Sequence, residues 1–233
     1  MSSIAENLLN VRRRIERAEK QYGRVQGSVT LVAVSKTKPV ELIRQAIAQG
    51  QRVFGESYIQ EAVEKILIIN DPHLEWHFIG PIQSNKTRPL AAHFDWIHSV
   101  DRIKIAQRLN DQRPVDKAPI NILLQVNISD EKSKAGTQAT EVKTLIESIL
   151  QMQKLKLRGL MAIPARTNEF AGQRAAFAKM ALLLKELNSE LGLSMDCLSM
   201  GMSNDLEAAI AEGATFVRIG TDIFGAREYL DEK

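Results

Sequence analysis

Cysteine is almost absent from this sequence, which has a single one, Cys197, among 233 residues. No disulfide can form within the chain, so a disulfide framework is excluded and a reducing, cytoplasmic compartment is the expectation. Long apolar runs are also missing. The N-terminus lacks the apolar core of a signal peptide, and no stretch approaches the roughly 20 apolar residues of a membrane span. We therefore predict a cytoplasmic protein that does not bind membranes.

Net charge is small as well. Lys and Arg number 31 against 28 Asp and Glu, which gives a formal net charge of +3. Without a strong basic excess there is no electrostatic case for a nucleic-acid partner. The three arginines at positions 12–14 are interpreted as the solvated face of a helix. The four histidines have neither a spacing typical of zinc ligands nor a pattern of carboxylate partners, so no metal site is predicted.

What the sequence does contain is a regular alternation of strand and helix patterns. Apolar, β-branched stretches typical of buried strands recur eight times, each followed by a helical pattern. The strands are expected at residues 29–35, 52–56, 75–79, 94–100, 120–128, 155–163, 196–200 and 215–219. An additional amphipathic helix at residues 2–20 precedes them.

This alternation predicts an α/β fold, a (β/α)8 or TIM barrel with an extra N-terminal helix. The length is close to the ~250 residues typical of that fold. No linker-like segment interrupts the chain, so we expect a single domain over residues 1–233 and no second domain. An open, doubly wound sheet is the alternative. Its Rossmann version is disfavoured because no G-x-G-x-x-G follows the first strand.

Lys36 is the first candidate site residue, because it stands where the first buried strand stops. An amine that loses hydration at such a place becomes a usable nucleophile toward a carbonyl. A lone lysine at a strand end more often extends to solvent. In a barrel, however, sites form at the C-terminal ends of strands. Polar or small residues recur at the other predicted strand ends, among them Ser57, His98 and Asn127, which favours a site.

The last two predicted strands are followed by loops typical of a phosphate site. Barrels usually hold phosphate in these two loops, which here contain residues 201–205 and Gly220-Thr221. Glycines let the backbone approach an anion, the hydroxyls of Ser203 and Thr221 can donate, and a helix N-terminus adds partial positive charge. Ser203 can equally be a plain helix N-cap, a role compatible with phosphate binding.

Five segments resemble a known family: VAVSKTKP, FIGPIQSNK, GLMAIP, LSMGMSND and VRIGTDIFGAR. Together they closely resemble the pyridoxal-phosphate-binding homeostasis proteins, single-barrel relatives of the barrel of bacterial alanine racemases. The resemblance spans nearly the whole chain. It implies that the cofactor is pyridoxal 5′-phosphate (PLP), held as an internal aldimine on Lys36.

The resemblance also implies the other cofactor-binding residues. Ser203, Gly220 and Thr221 would hold the phosphate. Arg218 would face the pyridine nitrogen, and Met200 would lie against the cofactor. Two departures from the family pattern stand out: Ser57 replaces an asparagine near the cofactor, and Asp222 replaces a small uncharged residue. Lys86 and Lys134 are interpreted as loop charges that could reach the rim of the site.

Arg218 and Asp222 each carry an expectation of their own. A guanidinium can only donate, so it would keep the ring nitrogen unprotonated and the ring a weaker electron sink. Without the motif, Arg218 would be expected to pair with Glu207 or Asp222. A carboxylate facing the phosphate would repel it. We therefore expect Asp222 to turn away and to accept hydrogen bonds from the amides of residues 223–224.

Three functions follow from these residues. The first is a non-enzymatic, monomeric PLP carrier in intracellular vitamin B6 homeostasis, which contacts PLP-dependent apo-enzymes transiently. The second is a racemase, which needs acid/base groups on both faces of the substrate. The resemblance implies that one of them comes from a tyrosine of a second domain. The chain ends 13 residues after Gly220, and Tyr229 lies too near that end to replace it, so racemase turnover is expected to be absent or trivial. The third is an aldolase-like barrel that uses Lys36 on a sugar phosphate.

Overall fold

The computed structural model describes residues 3–129 and 135–226. Two expectations, Lys134 as a rim charge and the position of Tyr229, lie outside these ranges. The strands are β1 Thr30–Val34, β2 Val53–Glu56, β3 Glu75–Phe78, β4 Trp96–Val100, β5 Ile120–Gln125, β6 Leu155–Met161, β7 Cys197–Ser199 and β8 Phe216–Ile219. They are parallel and lie in sequence order, and β8 pairs with β1 to close the barrel. The predicted (β/α)8 barrel is confirmed, and the open sheet was the wrong alternative.

The helices follow the strands as the patterns predict. They are α1 Ile4–Gln21, α2 Val40–Ala48, α3 Ile59–Ile69, α4 Thr87–His93, α5 Ile103–Gln112, α6 Val142–Ile149, α7 Phe170–Leu191, α8 Leu206–Ala211 and α9 Thr221–Phe224. Short 3₁₀ turns precede α4 and α6. Helix α1 lies before the barrel and starts at a capping box between Ser3 and Glu6. Among the described helices, none combines the length and the apolar character needed to cross a membrane.

The sequence predicts Pro39 as the first helical residue of α2 and Asp101 as the cap of α5, and both helix starts differ from that prediction. Pro39 is the residue before α2 rather than its first helical residue, because its ψ of 157° is extended. Asp101 does not cap α5; Arg102 takes the position before the helix, and the Asp101 carboxylate accepts a hydrogen bond from the Arg102 guanidinium instead. Neither difference moves an element.

The strands direct alternate side chains into the barrel and toward the helices. Inside the barrel, a small apolar cluster contains Val32, Trp96, Leu123, Met161, Cys197 and Phe216. A much larger apolar core lies between the strands and the surrounding helices. Because the interior is filled by these side chains, space for a ligand is left at a mouth of the barrel, where the strands end.

Candidate functional site

A cavity of about 550 Å³ lies at the C-terminal mouth of the barrel. Six of the seven predicted site residues line it: Lys36, Ser57, Ser203, Arg218, Gly220 and Thr221. They come from the ends of β1, β2, β7 and β8, which parallel pairing brings to one face. A smaller cavity of about 370 Å³ lies at the opposite mouth and contains none of them. The strand-end argument therefore selected residues that share one cavity.

Met200 is the predicted site residue that does not line this cavity. It is fully buried in the core between strands and helices. Its neighbour Ser199 faces the barrel interior, and successive residues of a strand point to opposite sides, so Met200 faces outward. Met200 is not among the residues that border the cavity, so its placement against a ligand stays a prediction; Met202, on the loop that follows, borders the cavity.

The backbone around Lys36 is held on both sides by helix α3. The Lys65 ammonium donates to the carbonyl oxygen of Ser35 at 2.7 Å, and the Thr37 amide donates to Glu61 Oε1 at 2.6 Å. Thr37 has a φ of 62°, a left-handed conformation that is rare for a β-branched residue. These contacts fix the segment that directs Lys36 toward the cavity.

Behind this segment lies a buried charged cluster that the sequence analysis did not identify. Lys65 Nζ contacts Glu56 Oε1 at 2.9 Å and Glu61 Oε1 at 2.5 Å, and the Ser35 hydroxyl donates to Glu56. Burial raises the pKa of Glu56, although Lys65 and Ser35 oppose the shift. Glu56 thus faces the helices, whereas the adjacent Ser57 borders the cavity.

Arg218 borders the cavity and is only 4% exposed. It donates from one terminal nitrogen to Ser199 Oγ at 2.7 Å and from the other to the carbonyl oxygen of Ala162 at 3.0 Å. These bonds use two of its five N–H groups. Burial lowers the pKa of Arg218 to about 10, although the nearby Asp205 opposes the shift. Among the described residues, no carboxylate forms an ion pair with Arg218.

Glu207 and Asp222, the two carboxylates that the sequence offers as partners for Arg218, bind Arg14 of helix α1 instead. Glu207 accepts two hydrogen bonds from Arg14, at 2.8 and 3.0 Å, and Asp222 Oδ2 lies 2.7 Å from its third nitrogen. Arg14 also donates to the Ser203 carbonyl oxygen at 2.9 Å. The interpretation of Arg14 as part of a solvated helix face was therefore wrong.

Asp222 turns away from the cavity lining, as expected, but its predicted partners were wrong. The amides of Ile223 and Phe224 donate to the Gly220 carbonyl oxygen, and Asp222 makes no capping bond. The Arg14 guanidinium, a stronger partner for a carboxylate than an amide, takes that place. No structural conflict with a phosphate arises from this residue.

The loop after β7 depends on a glycine and on Asp205. Gly201 has a φ of 94°, and a Cβ there would come within 2.6 Å of the Ala209 Cβ. Asp205, rather than Ser203, precedes α8, so the N-cap interpretation of Ser203 was wrong. Asp205 Oδ1 accepts from the Met202 amide at 2.6 Å, and burial raises the Asp205 pKa despite this bond.

A chain of hydrogen bonds runs through the barrel interior to Arg218. Glu75 Oε1 lies 2.7 Å from His77 Nε2, and His77 Nδ1 lies 2.8 Å from His98 Nε2. His98 Nδ1 then lies 2.8 Å from Ser199 Oγ, the atom that accepts from Arg218. The prediction that the histidines have no carboxylate partner was wrong for His77. Glu75 and His77 are two residues apart on one strand and so share a face, a signal the sequence offered.

Comparison with known proteins identifies the family. The family described as "Alanine racemase, N-terminal domain" matches residues 3–228. The pyridoxal phosphate homeostasis protein of Pseudomonas aeruginosa is 57% identical over 229 residues, covering 98% of both chains. That of Escherichia coli K12 is 52% identical over 232 residues, covering 98% of this chain and 99% of its own. This chain belongs to the pyridoxal phosphate homeostasis protein family.

Solved structures agree with this family. PipY of Synechococcus elongatus, solved with PLP bound, is 38% identical with a TM-score of 0.84, covering 96% of this chain and 100% of PipY. The alanine racemase of Clostridium difficile 630 has a TM-score of 0.71 at 15% identity, covering 96% of this chain and 58% of its own. At that identity the racemase shows the shared fold alone. The resemblance drawn from the five sequence segments is confirmed.

Of the two departures from the pattern of the homeostasis protein family, only one lies at the cavity. Ser57 borders it and offers a hydroxyl. Asp222 is bound by Arg14, outside the lining. Of these two positions, only residue 57 can therefore contact a molecule in the cavity.

Proposed function

We propose that this protein binds PLP in the cavity at the C-terminal mouth of the barrel and acts in PLP homeostasis, with Lys36 as the residue that holds the cofactor. The observation that carries the proposal is the convergence on one cavity of the Lys36 amine, the Arg218 guanidinium and the hydroxyls of Ser203 and Thr221. When bound, PLP supplies an aldehyde that condenses with a primary amine, next to an aromatic ring and a phosphate.

The residues present fit each part of such a ligand. Lys36 provides the primary amine, and Ser203, Gly220 and Thr221 provide hydroxyls and a closely approachable backbone for a phosphate. Arg218 provides a buried donor for a ring nitrogen. The cavity volume of about 550 Å³ suits a cofactor-sized molecule. Arg14 neutralises Asp222, so that carboxylate does not oppose an anion.

These residues support binding and orientation rather than turnover. Arg218 donates hydrogen bonds and holds its proton in a protein, so it cannot protonate a ring nitrogen. A ring left unprotonated is a weak electron sink for carbanion chemistry. The homologues are named as homeostasis proteins, not enzymes. Nothing favours the racemase alternative: the described cavity lining contains no tyrosine, histidine or cysteine as a second acid/base group.

The finer part of the proposal is that the bound cofactor is delivered to PLP-dependent apo-enzymes through transient contacts. A cofactor-transfer assay tests it. The loaded protein and an apo-enzyme are either mixed in one solution or kept on opposite sides of a dialysis membrane, and reactivation of the enzyme is followed in both cases. Faster reactivation in direct contact supports delivery. Equal rates would mean that the cofactor only dissociates and is recaptured.

The binding proposal is tested by the site of covalent attachment. The purified protein is incubated with PLP, dialysed and reduced with borohydride, and its peptides are mapped by mass spectrometry. We expect about one pyridoxyl group per chain, on the peptide that contains Lys36. A protein that retains no cofactor, or that carries the label on other lysines alone, would refute the assignment. A sugar phosphate trapped on Lys36 under the same conditions would favour the aldolase-like alternative.

A further inference from the structure

The interior chain connects two opposite ends of the barrel. Glu75 is the first residue of β3, at the N-terminal mouth, and its side chain is 43% exposed. Arg218 borders the cavity at the C-terminal mouth. Between them, His77, His98 and Ser199 are buried inside the barrel. No catalytic or binding role assigned above uses Glu75 or either histidine.

The partners of the chain fix the direction of every hydrogen bond. Arg218 can only donate, so Ser199 Oγ accepts there. An ionised Glu75 can only accept, so the adjacent His77 Nε2 carries a proton. Because a neutral imidazole has one donor and one acceptor nitrogen, His77 Nδ1 then accepts from His98 Nε2–H. By the same rule His98 Nδ1 accepts from the Ser199 hydroxyl.

The surroundings of each group favour neutral imidazoles and an ionised Glu75. Burial lowers the pKa of His77, although Glu75 and Asp95 oppose the shift. Burial, with help from His77 and Arg218, lowers the pKa of His98 well below its usual value. Burial alone would raise the pKa of Glu75, but the hydrogen bond from His77 is the largest of the contributions that lower it overall. Both rings are therefore neutral and Glu75 is ionised near pH 7.

Neighbouring rings hold the two imidazoles in place. Trp96 stacks on His77, with ring centroids 5.3 Å apart at an angle of 14°. Phe216 contacts both imidazoles, with centroids 5.4 Å from each. The faces of these two aromatic rings offer the imidazoles no competing donor or acceptor, since the indole N–H of Trp96 lies in the plane of its ring. The imidazoles can thus satisfy their nitrogens through the chain.

We propose that Glu75, His77, His98 and Ser199 are positioning residues, forming a one-way hydrogen-bond chain that orients Arg218 toward a bound ligand. Each donor in the chain points toward Glu75, so each acceptor lone pair points toward Arg218. The guanidinium therefore meets the negative ends of aligned dipoles, although no carboxylate within residues 3–129 and 135–226 touches it. This inference rests on the proposed function, because it concerns how Arg218 meets the PLP ring.

The first test examines the hydrogen-bond chain in the protein without any cofactor. Nitrogen-15 NMR of the histidine rings in the intact protein at pH 7 distinguishes the two tautomers. We expect His77 and His98 both to be neutral and protonated at Nε2. In Glu75→Ala the Nε2–H of His77 loses its acceptor, so both rings should change their nitrogen shifts. A ring that is protonated at Nδ1 in the parent, or that is unchanged in Glu75→Ala, would overturn the proposal.

The second test measures PLP binding by titration and the absorption maximum of the bound cofactor. Ser199→Ala removes the atom that holds Arg218, so we expect affinity to fall about tenfold, or 1.4 kcal/mol, together with a shifted maximum. Glu75→Ala should weaken binding in the same direction, and Glu75→Gln, which keeps an acceptor oxygen, should restore most of it. Asp116→Ala is the control, because this exposed carboxylate lies in the loop between α5 and β5, at the same end of the barrel as Glu75. Its affinity should stay within about threefold.

The outcomes separate this inference from the proposed function. A parent that binds PLP and a Ser199→Ala variant with the same affinity and the same absorption maximum would overturn the positioning role alone. An equal loss of affinity in Asp116→Ala would also overturn it. A parent that retains no PLP would overturn the proposed function, while the ring-nitrogen spectra would still decide whether the chain exists as assigned.

Discussion

Lys65 contacts three oxygen atoms with one ammonium group, two from carboxylates and one from the backbone beside Lys36. In the sequence it stands in an ordinary amphipathic helix pattern, where a lysine normally faces solvent. Its partner Glu56 belongs to another element, and no spacing rule within one sequence joins them. This is why the sequence predicted Lys36 but not the cluster that supports it.

Lys65→Met is expected to destabilise the fold by about 3–5 kcal/mol, because it leaves buried Glu56 without its cation. The free energy of unfolding by urea measures this. Lys104→Met, on an exposed position of α5, is the matched control and should change stability by less than about 0.5 kcal/mol. The double variant Lys65→Met with Glu56→Gln should recover more than half of the loss. No recovery in the double variant would show that the unpaired carboxylate is not the cause.

At the scale of elements, helix α1 was predicted by the spacing of its apolar residues, and four of them are buried: Leu8, Val11, Ile15 and Ala18. Its polar face was predicted less well. Successive helical residues point about 100° apart, so the three arginines face different neighbours. Arg12 donates to Gln49 and Gln51 beside α2, Arg13 is exposed, and Arg14 binds α8 and α9. The helical period alone does not say which element each direction meets.

Arg14→Ala should loosen the attachment of α1 behind the phosphate loops. It removes hydrogen bonds to two carboxylates and leaves Glu207 and Asp222 without their shared cation. These groups are partly exposed, so we expect a loss of about 2 kcal/mol, or 4–8 °C in Tm. Arg13→Ala, the adjacent exposed arginine, is the control and should stay within about 0.5 kcal/mol. Equal shifts in the two variants, measured by thermal unfolding, would contradict the role of Arg14.

At the scale of the whole molecule, the order of the strands, the closed barrel and the mouth that holds the site all followed from the sequence. They depend on apolar periodicity and on the rule that parallel strands end at one face. The contacts between side chains inside the barrel could not be predicted from the sequence. Glu75, His98 and Ser199 meet from three strands, and which interior residues share a layer depends on strand register. Register is a property of the closed barrel, and a linear pattern contains no measure of it.

The buried histidines predict how the stability of the whole fold depends on pH. Burial lowers the pKa of both His77 and His98 from an ordinary value of 6.5. Below pH 6.5 the unfolded chain therefore binds more protons than the folded one. The stabilising contribution is complete above about pH 6.5 and is lost as the pH falls toward the folded pKa values. The lowered pKa of Glu75 makes a separate contribution to stability, which is lost as the pH falls below about 4.5.

His98→Gln isolates one of these groups, because an amide keeps a polar side chain there but does not titrate. His98 is faced by His77 from β3, by Ser199 from β7 and by Arg218 from β8, all of which the variant retains. Urea unfolding at several pH values between about 5 and 7.5 gives the slope of stability against pH. Below pH 6.5 the slope in His98→Gln should be smaller than in the parent by up to about 1.4 kcal/mol per pH unit. His73→Gln, the same substitution at an exposed position, is the matched control. Identical slopes in the parent and in His98→Gln would mean that folding does not lower the pKa of His98, and this prediction would be wrong.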